Sequence, residues 1–233
     1  MIGRRLGKRI ATLVAAAVLT ILLLEITEAL VPYRRDSIHV VSLVTAYASL
    51  VALCGTLLIG PWKVITSRPN PASTDFRRDL GIWAGLMALS HVWFGLHVHF
   101  RGKMINYFVD NNARGALRLD FFGLTNYLGS LAILFTAILL MTSNDISLRL
   151  LGTRRWKSLH RLNYLILAMV ALHAWIFQAV EHRAKITIMM VVSMLYAVAM
   201  AQWWGFRHRR ALDGARPAPA DPQVLPRSPS VRV

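Results

Sequence analysis

Six stretches of this chain run for a membrane's width with hardly a charge, and they leave few folds open. They are roughly Ile10–Val31, Val40–Gly60, Leu80–Phe100, Phe121–Asn144, Leu162–Val180 and Ile186–Phe206. An α-helix rises about 1.5 Å per residue, so about 20 residues cross the ~30 Å of hydrocarbon in a bilayer. Lipid offers the backbone no hydrogen bonds, which makes helices the natural solution for such stretches. Buried helices of a soluble domain are the competing reading, but they seldom come six in a row at this length. The expected fold is therefore all-α, a polytopic bundle of six transmembrane helices. Hydrophobic residues make up 55% of the chain and charged residues 16%, which agrees.

The net charge of +16 needs an explanation in that setting. Nucleic acid is one candidate partner, but the basic residues sit in the flanks of the apolar stretches. Arg154-Arg155-Trp156-Lys157 interleaves charge with an aromatic ring, as a headgroup belt does. Membrane lipid is the expected partner, and no nucleic acid is expected. Of the 27 basic residues, 19 fall on one side of the bundle. That group comprises the N-terminus, the loop with Lys63, Arg68, Arg77 and Arg78, the loop from Arg149 to Arg161, and the C-terminal tail. The positive-inside rule then puts both termini in the cytoplasm, and in a bacterium the chain in the inner membrane.

The N-terminal Arg4, Arg5, Lys8 and Arg9 before an apolar run imitate a secretory signal. No clear small-x-small cleavage site precedes Glu25, and five more spans follow, so this reads as a retained first helix. Residues 1–36 form a basic flank with that helix, 37–206 the main bundle, and 207–233 a Pro-, Ala- and Arg-rich tail expected to be disordered. Cys54 is the only cysteine. It excludes an internal disulfide, a Cys-rich zinc site, a Cys-ligated iron–sulfur cluster and covalent heme attachment, and reads as a small packed residue.

Histidines inside these runs carry the chemistry. His91 lies eleven residues after Leu80, and His173 eleven residues after Leu162. The third and fifth spans run in the same direction, so both imidazoles lie ~16 Å in, near mid-membrane. Two imidazoles at one depth on parallel helices are what bis-histidine ligation of a heme iron demands. A buried histidine bonded to a backbone carbonyl is the plain alternative for either one alone. His160 lies thirteen residues before His173. On one continuous helix that step spans about 20 Å and turns the two side chains roughly 140° apart. Its depth counterpart on the third span is Arg77, fourteen residues before His91. A guanidinium stays protonated and is a poor iron ligand; a heme-propionate clamp or a flavin-phosphate contact suits Arg77 better. His160 next to Lys157 and Arg161 also fits a headgroup-facing residue. One heme is thus expected at His91 and His173, and the count of one or two stays open. His97 and His99, at the far end of the third span, read as interfacial residues or as a heme or quinol site. His39 and His182 also lie near that face.

At these positions the chain resembles the ferric reductase-like transmembrane family over roughly residues 40–205. The matching text is Arg77-Arg-Asp-Leu-Gly-Ile-Trp-Ala with Leu-Ser-His91, and Thr142-Ser-Asn-Asp with Leu151-Gly-Thr-Arg-Arg-Trp-Lys-Ser-Leu-His160-Arg-Leu-Asn-Tyr and His173. It looks most like the branch with no fused flavin or nicotinamide domain and an arginine fourteen residues before the third-span histidine. The resemblance implies b-type heme at His91, His173 and His160. It further implies electron delivery to a periplasmic molybdopterin subunit that repairs oxidised methionine, and it brings FMN as an associated cofactor. The loop from Arg101 to Asp120 and Phe122-Gly-Leu-Thr-Asn-Tyr-Leu-Gly depart from that branch and read as generic for the family. The expected function is a b-type cytochrome passing electrons outward from a quinol or a cytoplasmic flavin reductase. Two other readings compete: a self-contained ferric or oxygen reductase at the outer face, and a heme-free transporter using its histidines, with Glu25 and Glu28, as proton relays.

Overall fold

The computed structural model describes residues 36–66, 72–110, 115–181 and 185–214, together with scattered helical positions between Gly7 and Ile26. The first expected span, as a continuous element, lies outside the described residues, and so does Glu28. Six helices follow among the described residues: α1 (Ser37–Ile65), α2 (Ala72–Val98), α3 (Phe121–Met141), α4 (Asp145–Leu159), α5 (Leu162–Val180) and α6 (Lys185–Gly214). Five of them, all but α4, are long and apolar enough to cross a bilayer. The molecule is an all-α, multi-pass membrane bundle.

Helix α1 occupies the middle. It is buried along most of its length, with Leu43, Leu50, Cys54 and Leu57 in one packed cluster with Val191 and Val198 of α6. Ala52 and Leu53 face a second cluster with Ala84, Leu139 and Ile166. The outer helices instead leave Trp93, Leu134, Leu172 and Tyr196 exposed, as lipid-facing side chains must be. Lipid tails are as apolar as leucine, so hydrophobic burial alone does not drive these helices together; close packing and interhelical hydrogen bonds do more. Ser49 Oγ donates to the Ala84 carbonyl at 2.9 Å, tying α1 to α2, and Gln202 Nε2 donates to the Leu57 carbonyl at 2.7 Å, tying α6 to α1.

The segment between α2 and α3 folds into a cap. Two 3-10 turns, Phe100–Gly102 and Met104–Tyr107, lead into strand β1 (Val109–Asp110), which pairs antiparallel with β2 (Ala116–Leu117). Tyr107 anchors it at 2% exposure. Its hydroxyl donates to the Gly95 carbonyl at 2.7 Å and accepts the His99 backbone N–H at 2.9 Å. Arg118 lies over the Phe100 and Phe122 rings and donates to the Asn106 carbonyl at 2.8 Å. Asp120 then caps α3, its carboxylate accepting the Gly123 N–H at 2.7 Å.

Three expectations change. Residues 149–161, read as a loop, are mostly helix α4. Asn144 caps it by accepting the Ser147 N–H at 2.8 Å, so the fourth span ends at Met141 rather than at Asn144. The helix is too charged to cross hydrocarbon and kinks at Gly152, whose φ of 70° and ψ of 158° suit only glycine. Second, His160 and Arg161 form a turn between α4 and α5. His160 and His173 therefore do not share one helix, and the 20 Å and 140° relations between them do not apply. Third, α6 continues to Gly214, so residues 207–214 of the expected disordered tail are helical. No proline interrupts them, and Arg and Ala are strong helix formers. The remainder of the tail lies outside the described residues.

Candidate functional site

The bundle encloses two adjoining cavities. The first lies on the cap side of α1, α2, α3 and α5, and its walls include His91, His173, Gly95, Gly129, Leu50 and Phe177. The second opens at the opposite end, beside the α4–α5 turn, with His160, Arg77 and Trp156 on its walls. Ser49, Ala88, Thr136 and Val170 border both.

His91 of α2 and His173 of α5 face each other across the first cavity, with ring centres 6.3 Å apart and planes at 75°. Their supports are alike. His91 Nδ1 lies 2.9 Å from the Ser42 carbonyl and 3.2 Å from Ser42 Oγ, on α1. His173 Nδ1 lies 2.8 Å from the Thr125 carbonyl and 3.2 Å from Thr125 Oγ1, on α3. A carbonyl only accepts, so each Nδ1 carries the proton and Nε2 is the nitrogen with the lone pair. Thr125 is fully buried, and its hydroxyl donates back to the His173 carbonyl at 3.2 Å. Glycine makes room: a Cβ on Gly129 would stand 3.0 Å from His173 Cε1 and Nδ1.

The second cavity brings together His160 and Arg77, as their matched depth implied. His160 is pinned on several sides. The Trp156 ring stacks on it at 3.8 Å between centres, its Nδ1 lies 3.0 Å from the Trp156 carbonyl, and its Nε2 lies 3.3 Å from Ser143 Oγ. Trp156 is itself fixed by donating from Nε1 to the Thr142 carbonyl at 2.9 Å. Burial lowers the His160 pKa below the ordinary value, the Trp156 carbonyl opposes that, and the Arg77 charge adds to it. Lys63, Arg78, Lys157, Arg161 and Arg209 also line this cavity. Arg78 is partly neutralised by ion pairs with Asp75 and Asp145. Such a basic, open-ended chamber suits an anionic ligand group.

The remaining histidines separate. His99 Nε2 lies 3.3 Å from Glu181 Oε1, and the His99 ring sits edge-on to His39 at 6.4 Å, both on the cap-side wall of the first cavity. His97 turns outward, its Nδ1 2.7 Å from the Trp93 carbonyl. His208 sits on α6, and His182 lies outside the described residues. No group of three or more His, Cys, Asp or Glu residues suited to a metal ion occurs among the described residues. Sequence reading missed Ser42, Thr125, Gly129, Tyr107 and Trp156 as parts of the site. Thr125 and Gly129 lie four residues apart in Phe122-Gly-Leu-Thr-Asn-Tyr-Leu-Gly, one helical turn on one face, which was the available signal.

Fold and site together define a multi-pass helical membrane protein whose core holds two facing, hydrogen-bonded histidines. Several proteins this chain is similar to carry the name protein-methionine-sulfoxide reductase heme-binding subunit MsrQ. That of Polaromonas naphthalenivorans strain CJ2 is 27% identical over 169 residues, covering 70% of each chain. That of Ralstonia nicotianae is 29% identical over 179 residues, covering 76% of this chain and 77% of its own. That of Bordetella pertussis strain Tohama I is 29% identical over 163 residues, covering 67% and 71%. The likeness agrees with the resemblance read from the motifs. No family model matches the chain.

Proposed function

We propose that this chain is a b-type cytochrome of the MsrQ kind, with His91 and His173 as the two axial ligands of one heme. The observation that carries this is the 6.3 Å separation of their ring centres. A metal–imidazole bond is about 2 Å and a ring nitrogen lies about 1 Å from its ring centre, so two imidazoles flanking one iron stand about 6 Å apart, centre to centre. The Nδ1 contacts support the same reading, because they leave Nε2 as the coordinating nitrogen on both sides. Leu43, Leu50, Val92, Leu96 and Ile133 give that cavity a largely apolar wall, which suits the face of a macrocycle. Bound there, heme supplies reversible one-electron chemistry, and the chain supplies ligands, burial and orientation.

His160 and Arg77 form the second candidate site. His160 is a ligand candidate for a second heme, and Arg77 with its basic neighbours suits the propionates of that heme or the phosphate of FMN. Burial, partly opposed by the Trp156 carbonyl and aided by the Arg77 charge, favours neutral imidazole, the form that binds metal. The orientation proposed puts both termini and the basic cavity on the cytoplasmic side of a bacterial inner membrane, with six spans in all. Electrons would arrive from a quinol or a cytoplasmic flavin reductase and leave toward a periplasmic molybdopterin-type methionine sulfoxide reductase. The test is spectroscopic. Purified wild type should give a six-coordinate b-type spectrum, and His91→Ala and His173→Ala should each lose it. A full six-coordinate signal in His173→Ala would remove the assignment.

A further inference from the structure

We infer that Ser42 and Thr125 are positioning residues whose side-chain hydroxyls tune the reduction potential of the group held by His91 and His173. The inference rests on the axial-ligand reading above and goes beyond it.

The two histidines are served in the same way from two different helices. In each case a single residue offers both its carbonyl and its hydroxyl to one Nδ1, at 2.9 and 3.2 Å for Ser42 and at 2.8 and 3.2 Å for Thr125. Neither residue is needed for solubility, because Ser42 is 5% exposed and Thr125 is 0% exposed. A carbonyl alone would fix the tautomer. The added hydroxyl shares the Nδ1 proton and restrains rotation of the ring. Thr125 goes further, because its hydroxyl also donates to the His173 carbonyl. The result is a two-way link between α3 and α5 at the level of the ligand. Gly95 and Gly129 leave the space in which these contacts form: a Cβ on Gly95 would lie 3.3 Å from Ser42 Oγ, and one on Gly129 would meet His173.

The electrostatic consequence has a definite sign. Accepting from Nδ1–H puts electron density on the imidazole and makes Nε2 a stronger donor. A stronger donor stabilises the oxidised metal more than the reduced metal. Removing one acceptor while leaving the carbonyl should weaken that preference and raise the potential.

The experiment is a potentiometric titration of the heme-loaded protein and of Ser42→Ala, Thr125→Val and Thr125→Ser, with absorbance and electron paramagnetic resonance spectra of each. Ser42→Ala and Thr125→Val should keep two histidine ligands. At a fixed potential the reduced-to-oxidised ratio should rise about threefold, which for a one-electron couple is about 30 mV at 59 mV per decade. Thr125→Ser, which keeps the hydroxyl, should stay at the wild-type value. If Thr125→Val loses heme altogether, Thr125→Ser must retain it, and loss in both overturns the inference. Unchanged potentials and spectra in Ser42→Ala and Thr125→Val, with heme fully bound, also overturn it and leave the axial assignment standing. Absence of any b-type spectrum in the wild type would instead sink the axial assignment.

Discussion

Gly129→Ala tests the packing of the site without replacing either of the two facing histidines. Its Cβ would stand 3.0 Å from both Cε1 and Nδ1 of His173. Carbon seldom approaches so closely, so one partner must give by a few tenths of an ångström. The ring has little freedom to do so, because its Nδ1 is bonded to the Thr125 carbonyl at 2.8 Å. The threonine behind it is fully buried. Shifting α3 away from α5 would instead open the contact that holds the two helices. Overpacking of this kind costs about 1–3 kcal/mol, and every 1.4 kcal/mol is tenfold in a binding constant. Heme retention should therefore weaken by roughly 5- to 140-fold. Gly95→Ala is the internal comparison, because its Cβ would meet Ser42 Oγ at 3.3 Å and His91 Cε1 only at 3.8 Å. The assay is heme transfer to apomyoglobin from each purified variant, followed by absorbance. Gly129→Ala should lose heme fastest, Gly95→Ala should be intermediate, and wild type slowest. Equal rates for Gly129→Ala and wild type, or a Gly95→Ala that is the faster of the two, would refute the packing argument.

Other perturbations reach the rest of the molecule. His160→Ala should leave the six-coordinate signal of His91 and His173 intact; a pyridine hemochrome assay with protein quantitation should show the heme-to-protein ratio fall from two to one if the second site is filled. Burial raises the Tyr107 pKa above its ordinary 10.0, the His99 N–H opposes this, and Glu181 adds to it. The unfolded chain then loses the phenolic proton first, so this contribution to stability is complete below pH 10 and fades as pH rises above it. Tyr107→Phe should flatten that alkaline loss in melting curves while lowering the melting temperature at neutral pH, since the Gly95 carbonyl loses its donor. Gly152→Ala should cost about 1–3 kcal/mol in denaturation, from backbone strain alone. A Cβ there would meet nothing within 4 Å.

The pairing of His91 with His173 could be read from the chain because it depends on quantities a sequence carries. Apolar stretches have countable lengths, alternate stretches run in parallel, and equal offsets from their starts mean equal depths. The approach of Arg77 to His160 followed from the same counting. What failed was continuity. The fifth span begins at Leu162 in the sequence reading, as α5 does, yet the thirteen-residue step from His160 to His173 is counted there as if helix ran through the turn at His160 and Arg161, which has neither glycine nor proline to announce it. Helix α4 looked like a loop because its charges outweighed its caps. The partners of the two facing histidines were invisible for another reason. Two of the acceptors are backbone carbonyls, which every residue has, and Ser42 and Thr125 look like ordinary small polar residues in apolar helices until the neighbouring helix is in place.

Ser49, Ala88, Thr136 and Val170 form the partition between the two chambers. Two are small and two β-branched, and the hydroxyls of Ser49 and Thr136 donate to the backbone carbonyls of Ala84 and Ala132. The bundle thus divides the thickness of the bilayer into two compartments whose spacing belongs to the protein and not to the lipid around it. Membranes of different thickness would stretch or tilt the helix ends while leaving that spacing unchanged.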